Sequence, residues 1–331
     1  MTLAAALVLA ALTLGAAGSS IASPGSPGGV GAGEVAIFYY PWYGTEALDG
    51  TWQHWQQNGN TPPTQIASNW FPARGPYSSS DPKVVRAQMR EIASAGIQTV
   101  IVSWWGPGSA EAARLPRGQR LARAAGLSVA VHVEPFDGRT PETLAPELRA
   151  LAATGIEDFY IYDSTSSSDD GWRALNQQLP GLRLFANTGL PGKAAAGGFA
   201  GLYTYDVRVY DGNSFPRMCA SARMHNLVCA PSVGPGFDAR RATGETRVCS
   251  RANGATYDTM WRSAVRAAAD VVTITSYNEW HEGTQIEPAR AVGPPYQSYD
   301  GAYGRSGRAA QTAYLDRTAR WVARYRTVVG R

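Results

Sequence analysis

Charge is scarce in this 331-residue chain: 17% of residues are charged against 44% hydrophobic, which excludes a chain that stays unfolded. Cysteine is scarcer still. Cys219, Cys229 and Cys249 form no CxxC pair and have no histidine at ligand spacing beside them, so no zinc site is expected, nor any other metal or cofactor. No glycine fingerprint follows the first strand-like run, which argues against a doubly wound dinucleotide fold. Long apolar runs are missing after the N-terminus. Leu3 to Ala17 is uncharged but falls short of the roughly 18 residues of a membrane span, and no stable membrane insertion is expected. Nor is there a basic stripe. Lys and Arg number 30 against 26 Asp and Glu, but seven arginines lie from Arg305 to Arg331 beside one acid, Asp316. The remainder is 23 against 25, or −2, and nucleic acid is not an expected partner.

The ends and the cysteines point to one compartment. Leu3 to Ala17, followed by Ser20-Ile21-Ala22, has the length and small-residue step of a signal peptide, so residues 1–22 are read as a secretion signal. Residues 23–34, rich in Pro, Gly and Ser, read as a flexible leader, and 35–331 as one secreted domain, expected to act as a monomer. An odd cysteine count in a secreted chain predicts one disulfide and one free thiol. Cys229 lies in the apolar run Leu227 to Ala230 and is read as the buried thiol, leaving Cys219 to pair with Cys249.

What is abundant is aromatic: 10 Trp and 16 Tyr, with six of the Trp between Trp42 and Trp105. Around them, short β-rich runs alternate with helix-compatible segments. The strands read as Val35 to Tyr40, Thr99 to Trp104, Ser128 to Glu134, Phe159 to Asp163, Leu182 to Asn187, Gly201 to Tyr205, Leu227 to Pro231 and Val271 to Ser276. Asp81-Pro82 and Thr140-Pro141 are helix starts, and a closing helix from about Ala309 to Val329 puts Tyr314, Leu315, Trp321, Val322 and Tyr325 on one face, with Arg317, Arg320 and Arg324 on a solvated one. Eight strands each followed by a helix predict an α/β fold, a single (β/α)8 TIM barrel with a first βα loop of about 40 residues.

In such a barrel the site is built where strands end. Those positions read Tyr39-Tyr40-Pro41-Trp42-Tyr43-Gly44, Ser103-Trp104-Trp105-Gly106, His132-Val133-Glu134-Pro135, Tyr160-Ile161-Tyr162-Asp163, Tyr203-Thr204-Tyr205-Asp206 and Asn278-Glu279-Trp280-His281-Glu282-Gly283. Flat rings beside carboxylates and amides suit a sugar, which offers an apolar C–H face and a belt of hydroxyls. A single aromatic at a strand end is as readily a cap on the barrel core; the accompanying carboxylates are what that reading leaves unexplained. Glycoside cleavage needs two carboxyl groups flanking the bond. A turn after strand eight, favoured by Gly283, puts Glu279 and Glu282 on one side with Cβ atoms roughly 5 to 6 Å apart. Glu287, next to Ile286 and Pro288, reads as loop support.

These segments, together with Pro231-Ser232-Val233-Gly234-Pro235-Gly236 and the continuation through Thr284-Gln285-Ile286-Glu287-Pro288, resemble the signatures of glycoside hydrolase family 99, the endo-α-1,2-mannosidases and endo-α-1,2-mannanases. The resemblance runs from about Val35 to the Glu287 loop. It implies a (β/α)8 barrel and retaining, metal-free cleavage inside an α-mannoside chain, in α-mannan or N-glycan oligosaccharides, through a 1,2-anhydro sugar. It implies Glu279 as base on the substrate 2-hydroxyl and Glu282 as acid with a raised pKa. Tyr43, His54, Trp105, Glu134 and Tyr162 would line the subsites, with Tyr205, Asn278 and Trp280 beside them. The arginine the family carries after strand seven corresponds to Arg240 or Arg241, and the segment Asp206 to Gly212 departs from the family pattern. Two other readings stay open: a noncatalytic carbohydrate-binding barrel, and an α-glucan glycosidase using a carboxylate nucleophile such as Glu134.

Overall fold

The structure, a computed structural model, describes residues 33–329. The expected signal peptide and nearly all of the leader lie outside the described residues. Eight parallel strand positions follow: β1 (Glu34–Tyr39), β2 (Thr99–Trp104), β3 (Ser128–Val133), β4 (Asp158–Ile161), β5 (Arg183–Asn187), β6 (Gly201–Tyr203), β7 (Val228–Ala230, resuming after Pro231 as Ser232–Val233) and β8 (Val271–Ile274). Each is followed by a helix: α1 (Pro82–Ser94), α2 (Ala110–Ala124), α3 (Pro141–Ala152), α4 (Asp169–Gln178), α5 (Pro191–Ala196), α6 (Phe215–Met224), α7 (Ala255–Arg266) and α8 (Ala313–Val329).

The two halves of β7 close the barrel. Val228–Ala230 pairs with β6, and Ser232–Val233 pairs with β8, which pairs in turn with β1. Pro231 between them has no N–H for a ladder, so hydroxyls take over at the seam. Ser232 Oγ bonds Thr273 Oγ1 at 2.7 Å and accepts the Tyr205 N–H at 2.9 Å, while Ser232 N donates to Thr204 Oγ1 at 3.0 Å.

Both faces of a parallel barrel are buried, and the period of two divides them. Val35, Ile37, Tyr39, Val100, Val102, Val131, Phe159, Leu184 and Ile274 face the helices. Ala36, Phe38, Ile101, Ala130, Tyr160, Phe185, Tyr203 and Ala230 fill the interior, large rings alternating with alanines. Asp81 and Ser109 cap α1 and α2 through bonds from Lys83 N and Ala112 N. Outside the barrel, Phe71–Pro72 pairs with Ala289–Arg290, tying the long first loop to the loop after β8.

Two expectations need correction. The disulfide joins Cys219 to Cys229, and Cys249 is the free thiol. The Cys229 side chain points outward from β7 onto α6, where Cys219 lies with its Cα 5.2 Å away, both residues fully buried. Cys249 sits instead on a short ladder opposite Phe237, in the excursion that follows β7. Arg317 is also more than solvated surface: its guanidinium pairs with Asp258 on α7, and Trp321 Nε1 donates to the same carboxylate.

Candidate active site

The loop after β8 sorts its side chains to opposite sides. Asn278 faces inward, its amide accepting from Tyr40 N at 2.8 Å and donating to Tyr40 O at 2.9 Å, which fastens this loop to the end of β1. Trp280 also faces inward, donating from Nε1 to Glu287 Oε2 at 2.8 Å, while its N–H donates to the Tyr43 hydroxyl. Tyr43 in turn donates to Asn278 O at 3.1 Å. Glu287, read as loop support, is fully buried and also accepts from Arg74, Tyr77 and Gln88. The turn is completed by Gly283 at φ +63°, where a Cβ would stand 2.4 Å from the Trp70 ring. Arg251 grips it from behind, donating to Gly283 O at 2.9 Å and Gln285 O at 2.6 Å from within a cage of Trp70, Tyr299 and Tyr314 rings.

This turn presents Glu279 and Glu282 to a cavity of about 570 Å³ at the C-terminal end of the barrel. Glu279 Oε1 accepts the His281 N–H at 3.0 Å and the Glu282 N–H at 3.4 Å. Burial first, and then the Glu282 charge, pushes Glu279 well above the usual carboxylate range, against the pull of those two N–H groups. Glu282 Oε2 accepts from the Tyr205 hydroxyl at 3.3 Å, and that hydroxyl also bonds Tyr40. Glu282 is pushed up to about 7 by burial and then by the Asp206 charge, with Arg208 opposing. The two carboxyls titrate as a pair, so the first proton lost makes the second harder to remove.

The remaining walls are aromatic and polar. Trp42 stacks on His54 at 4.5 Å, and His281 Nε2 donates to His54 O at 2.8 Å. Burial lowers His54 to about 4 and His281 to about 3, so both rings are neutral near pH 7. Glu134 accepts from Ser103 Oγ at 2.9 Å; His132 Nδ1 lies 2.8 Å from the same oxygen but out of line for a hydrogen bond. Tyr162, Trp105, Pro135, Gln57, Glu111 and Thr243 complete the lining. A second cavity, about 510 Å³, opens between β1, β2, α1 and α2; no carboxylate lines it.

Of the residues singled out from sequence, Glu279, Glu282, His54, Trp105, Glu134, Tyr162 and Tyr205 meet at the cavity. Tyr43, Asn278 and Trp280 lie behind its wall, each with no exposed surface, and hold the loop. Tyr40, Trp42, His132 and His281 were within the quoted segments but not singled out; the alternation along each strand end was the signal for them. Glu111 and Thr243 come from α2 and the short helix Arg240–Thr243, which no strand-end pattern marks. Neither Arg240 nor Arg241 lines the cavity: the first pairs with Asp238 and the second donates to Ile66 O. The arginine beside Glu282 is Arg208, which shares a small recess with Asp206, Tyr162, Tyr205 and Glu282. Among the described residues there is no group of three His, Cys, Asp or Glu side chains placed to hold a metal, and no helix is long and apolar enough to cross a membrane.

Comparison with known proteins bears on this geometry. The sequence profile of Glycosyl hydrolase family 99 matches residues 32–327. A zebrafish (Danio rerio) glycoprotein endo-alpha-1,2-mannosidase-like protein is 30% identical over 80% of this chain and 74% of its own length. Its human counterpart is 29% identical over 88% and 76%. The solved structure of a family 99 endo-alpha-mannosidase from Bacteroides thetaiotaomicron superposes with a TM-score of 0.80 at 29% identity, covering 89% of this chain and 98% of that one.

Proposed function

The chain belongs to glycosyl hydrolase family 99, and from that membership we propose that it is an endo-α-mannosidase cleaving internal α-1,2-mannosidic linkages in mannan or high-mannose glycans, with retention of configuration. The observation that carries this reading is the Glu279–Glu282 pair, presented by one turn to an aromatic-walled cavity.

The chemistry proceeds through the substrate's own 2-hydroxyl. Glu279 takes the O2 proton as O2 attacks C1, and Glu282 gives its proton to the departing glycosidic oxygen as the C1–O bond breaks. The product is a 1,2-anhydro sugar and a released chain end. Water then attacks C1, losing its proton to Glu282, while O2 recovers a proton from Glu279 as the three-membered ring opens. Two inversions leave the anomeric configuration unchanged. Support for these roles comes from the surroundings of each group. Burial raises both carboxyls, so near neutral pH the pair holds a proton between them; the two N–H groups aimed at Glu279 draw the charge to that side, and the proton falls to Glu282, which is raised by burial and then by the Asp206 charge. The neutral His54 and His281 rings add no competing acid.

Action outside the cell belongs to the same proposal; the Cys219–Cys229 disulfide supports it, since such bonds persist in oxidising compartments. The test is incubation with α-1,2-branched yeast mannan, following oligosaccharide release and the anomer first formed. No release, or full activity in Glu282→Gln, overturns the assignment. A trapped covalent glycosyl-enzyme would favour an α-glucan-type mechanism through Glu134 instead.

A further inference from the structure

Three of the four carboxylates that line the catalytic cavity have protein donors: Glu134 from Ser103, Glu279 from two backbone N–H groups, Glu282 from Tyr205. Glu111 has none. Its residue is 7% exposed, it lines the same cavity, and its carboxylate makes no hydrogen bond or ion pair with any described residue. A carboxylate offers about four acceptor positions, and those of Glu111 are not shut away from solvent, so they stay free to accept from a ligand in the cavity. Here the side chain is also held in place. Glu111 sits in the first turn of α2, where the helix dipole favours its charge without using its lone pairs. The turn before α2 is rigid, with Gly106 at φ +89° and a Cβ there meeting the Phe136 ring at 2.8 Å. Six residues before Glu111, Trp105 lines the same cavity.

A flat ring and an unmet carboxylate lining one cavity offer the chemistry of a hexose subsite: the ring takes the C–H face and the two oxygens take a pair of neighbouring hydroxyls. It stands on the β2 side of the cavity, with β1 between it and the Glu279–Glu282 turn. We infer that Glu111 is a specificity-determining residue, binding two hydroxyls of a hexose that lies on Trp105 and is not the sugar whose bond is cleaved. The inference rests on the proposed mannosidase reading and extends it to a named outer subsite. It follows that Glu111 selects for chain length, and that its loss matters only for substrates long enough to reach it.

The experiment measures kcat/KM for Glu111→Ala and Glu111→Gln on a series of α-1,2-linked mannooligosaccharides shortened one sugar at a time from either end, with thermal stability recorded for each protein. The expected result is a loss of about tenfold or more for Glu111→Ala on the longest substrate, a smaller loss for Glu111→Gln, which keeps one acceptor oxygen, and convergence with the wild type once the outer sugar is removed. Calorimetric binding of the longest oligosaccharide in a Glu282→Gln background should weaken by a similar factor when Glu111 is also replaced. A deficit of equal size at every length, or unchanged binding, overturns the inference and leaves Glu111 as support for the start of α2. Absence of both binding and cleavage of every oligosaccharide by the unaltered protein overturns the mannosidase reading itself.

Discussion

Glu279 Oε1 accepts the backbone N–H of Glu282, so one carboxylate of the pair shapes the turn that presents the other. The chemical and structural duties of Glu279 therefore separate by substitution. Glu279→Gln keeps an acceptor for the His281 and Glu282 N–H groups but has no basic oxygen; Glu279→Ala loses both functions. Each should lower kcat by about a hundredfold or more. Only the alanine variant should also lose about 1–2 kcal/mol of stability, because it leaves two buried N–H groups unmet. Thermal melts beside turnover measurements check this, and equal melts for the two variants count against it.

The position of Glu282 sets a pH window. Its folded pKa of about 7 stands above its ordinary 4.5, so its contribution to stability is fully present below about pH 4.5 and lost as pH rises through 7. Glu282→Gln, which never ionises, should abolish catalysis and yet melt higher than the wild type at pH 8, by roughly 1–3 kcal/mol, with little difference at pH 4.5. Activity of the unaltered protein should fall on the alkaline side near pH 7, as the acid loses its proton.

Asp206 and Arg208 place that alkaline limb. Asp206 raises Glu282 and Arg208 lowers it. The limb of the kcat/KM profile should move to lower pH in Asp206→Asn and to higher pH in Arg208→Gln. Shifts in the same direction would show that the loop after β6 acts by packing and not by charge.

Gly283 combines a left-handed backbone with direct contact to Trp70. Gly283→Ala should cost about 1–3 kcal/mol and reduce turnover, since the added methyl group must displace either the Trp70 ring or the turn carrying Glu282. Replacing Trp70 by a smaller side chain in the same protein relieves the clash but not the backbone strain, so partial recovery of the melting temperature is the expected readout.

Thiol titration distinguishes the two cysteine pairings. With Cys219 and Cys229 bonded, the unfolded, unreduced protein has one reactive thiol, and Cys249→Ser has none. Cys249→Ser should leave stability nearly unchanged, whereas Cys219→Ser should cost about 2–3 kcal/mol, the loop being ten residues long.

The barrel and its catalytic turn were legible because each is written in local pattern. Short β-rich runs mark all eight strands to within a residue or two, and Asn278 to Gly283 carries its carboxylates, its turn glycine and its anchoring residues in six consecutive positions. What failed to show depends on contacts between distant segments. Whether an aromatic at a strand end faces sugar or core is decided by its neighbours: Trp42 and Trp105 line the cavity, while Trp55 stacks on Tyr43 and Trp104 packs against Phe136. Nothing in the sequence marks Glu111, because only folding α2 against the rim brings its carboxylate to the cavity that Trp105 also lines. Cysteine pairing failed for the same reason: burial of Cys229 was read from its apolar run, but that run could not show Cys219 directly behind it on α6.

Closure through the divided seventh strand has a consequence for the chain as it is being made. β1 pairs on one side with β2 and on the other with β8, residue 34 facing residue 271, so the strand synthesised first waits for the strand synthesised last. Until then a nascent chain presents two unpaired edges, those of β1 and of the Ser232–Val233 half of β7, both satisfied when Val271–Ile274 enters between them. The catalytic turn follows directly after that strand, so nothing short of a closed barrel displays both carboxyl groups, and truncated or stalled products should carry sticky edges but no hydrolytic activity.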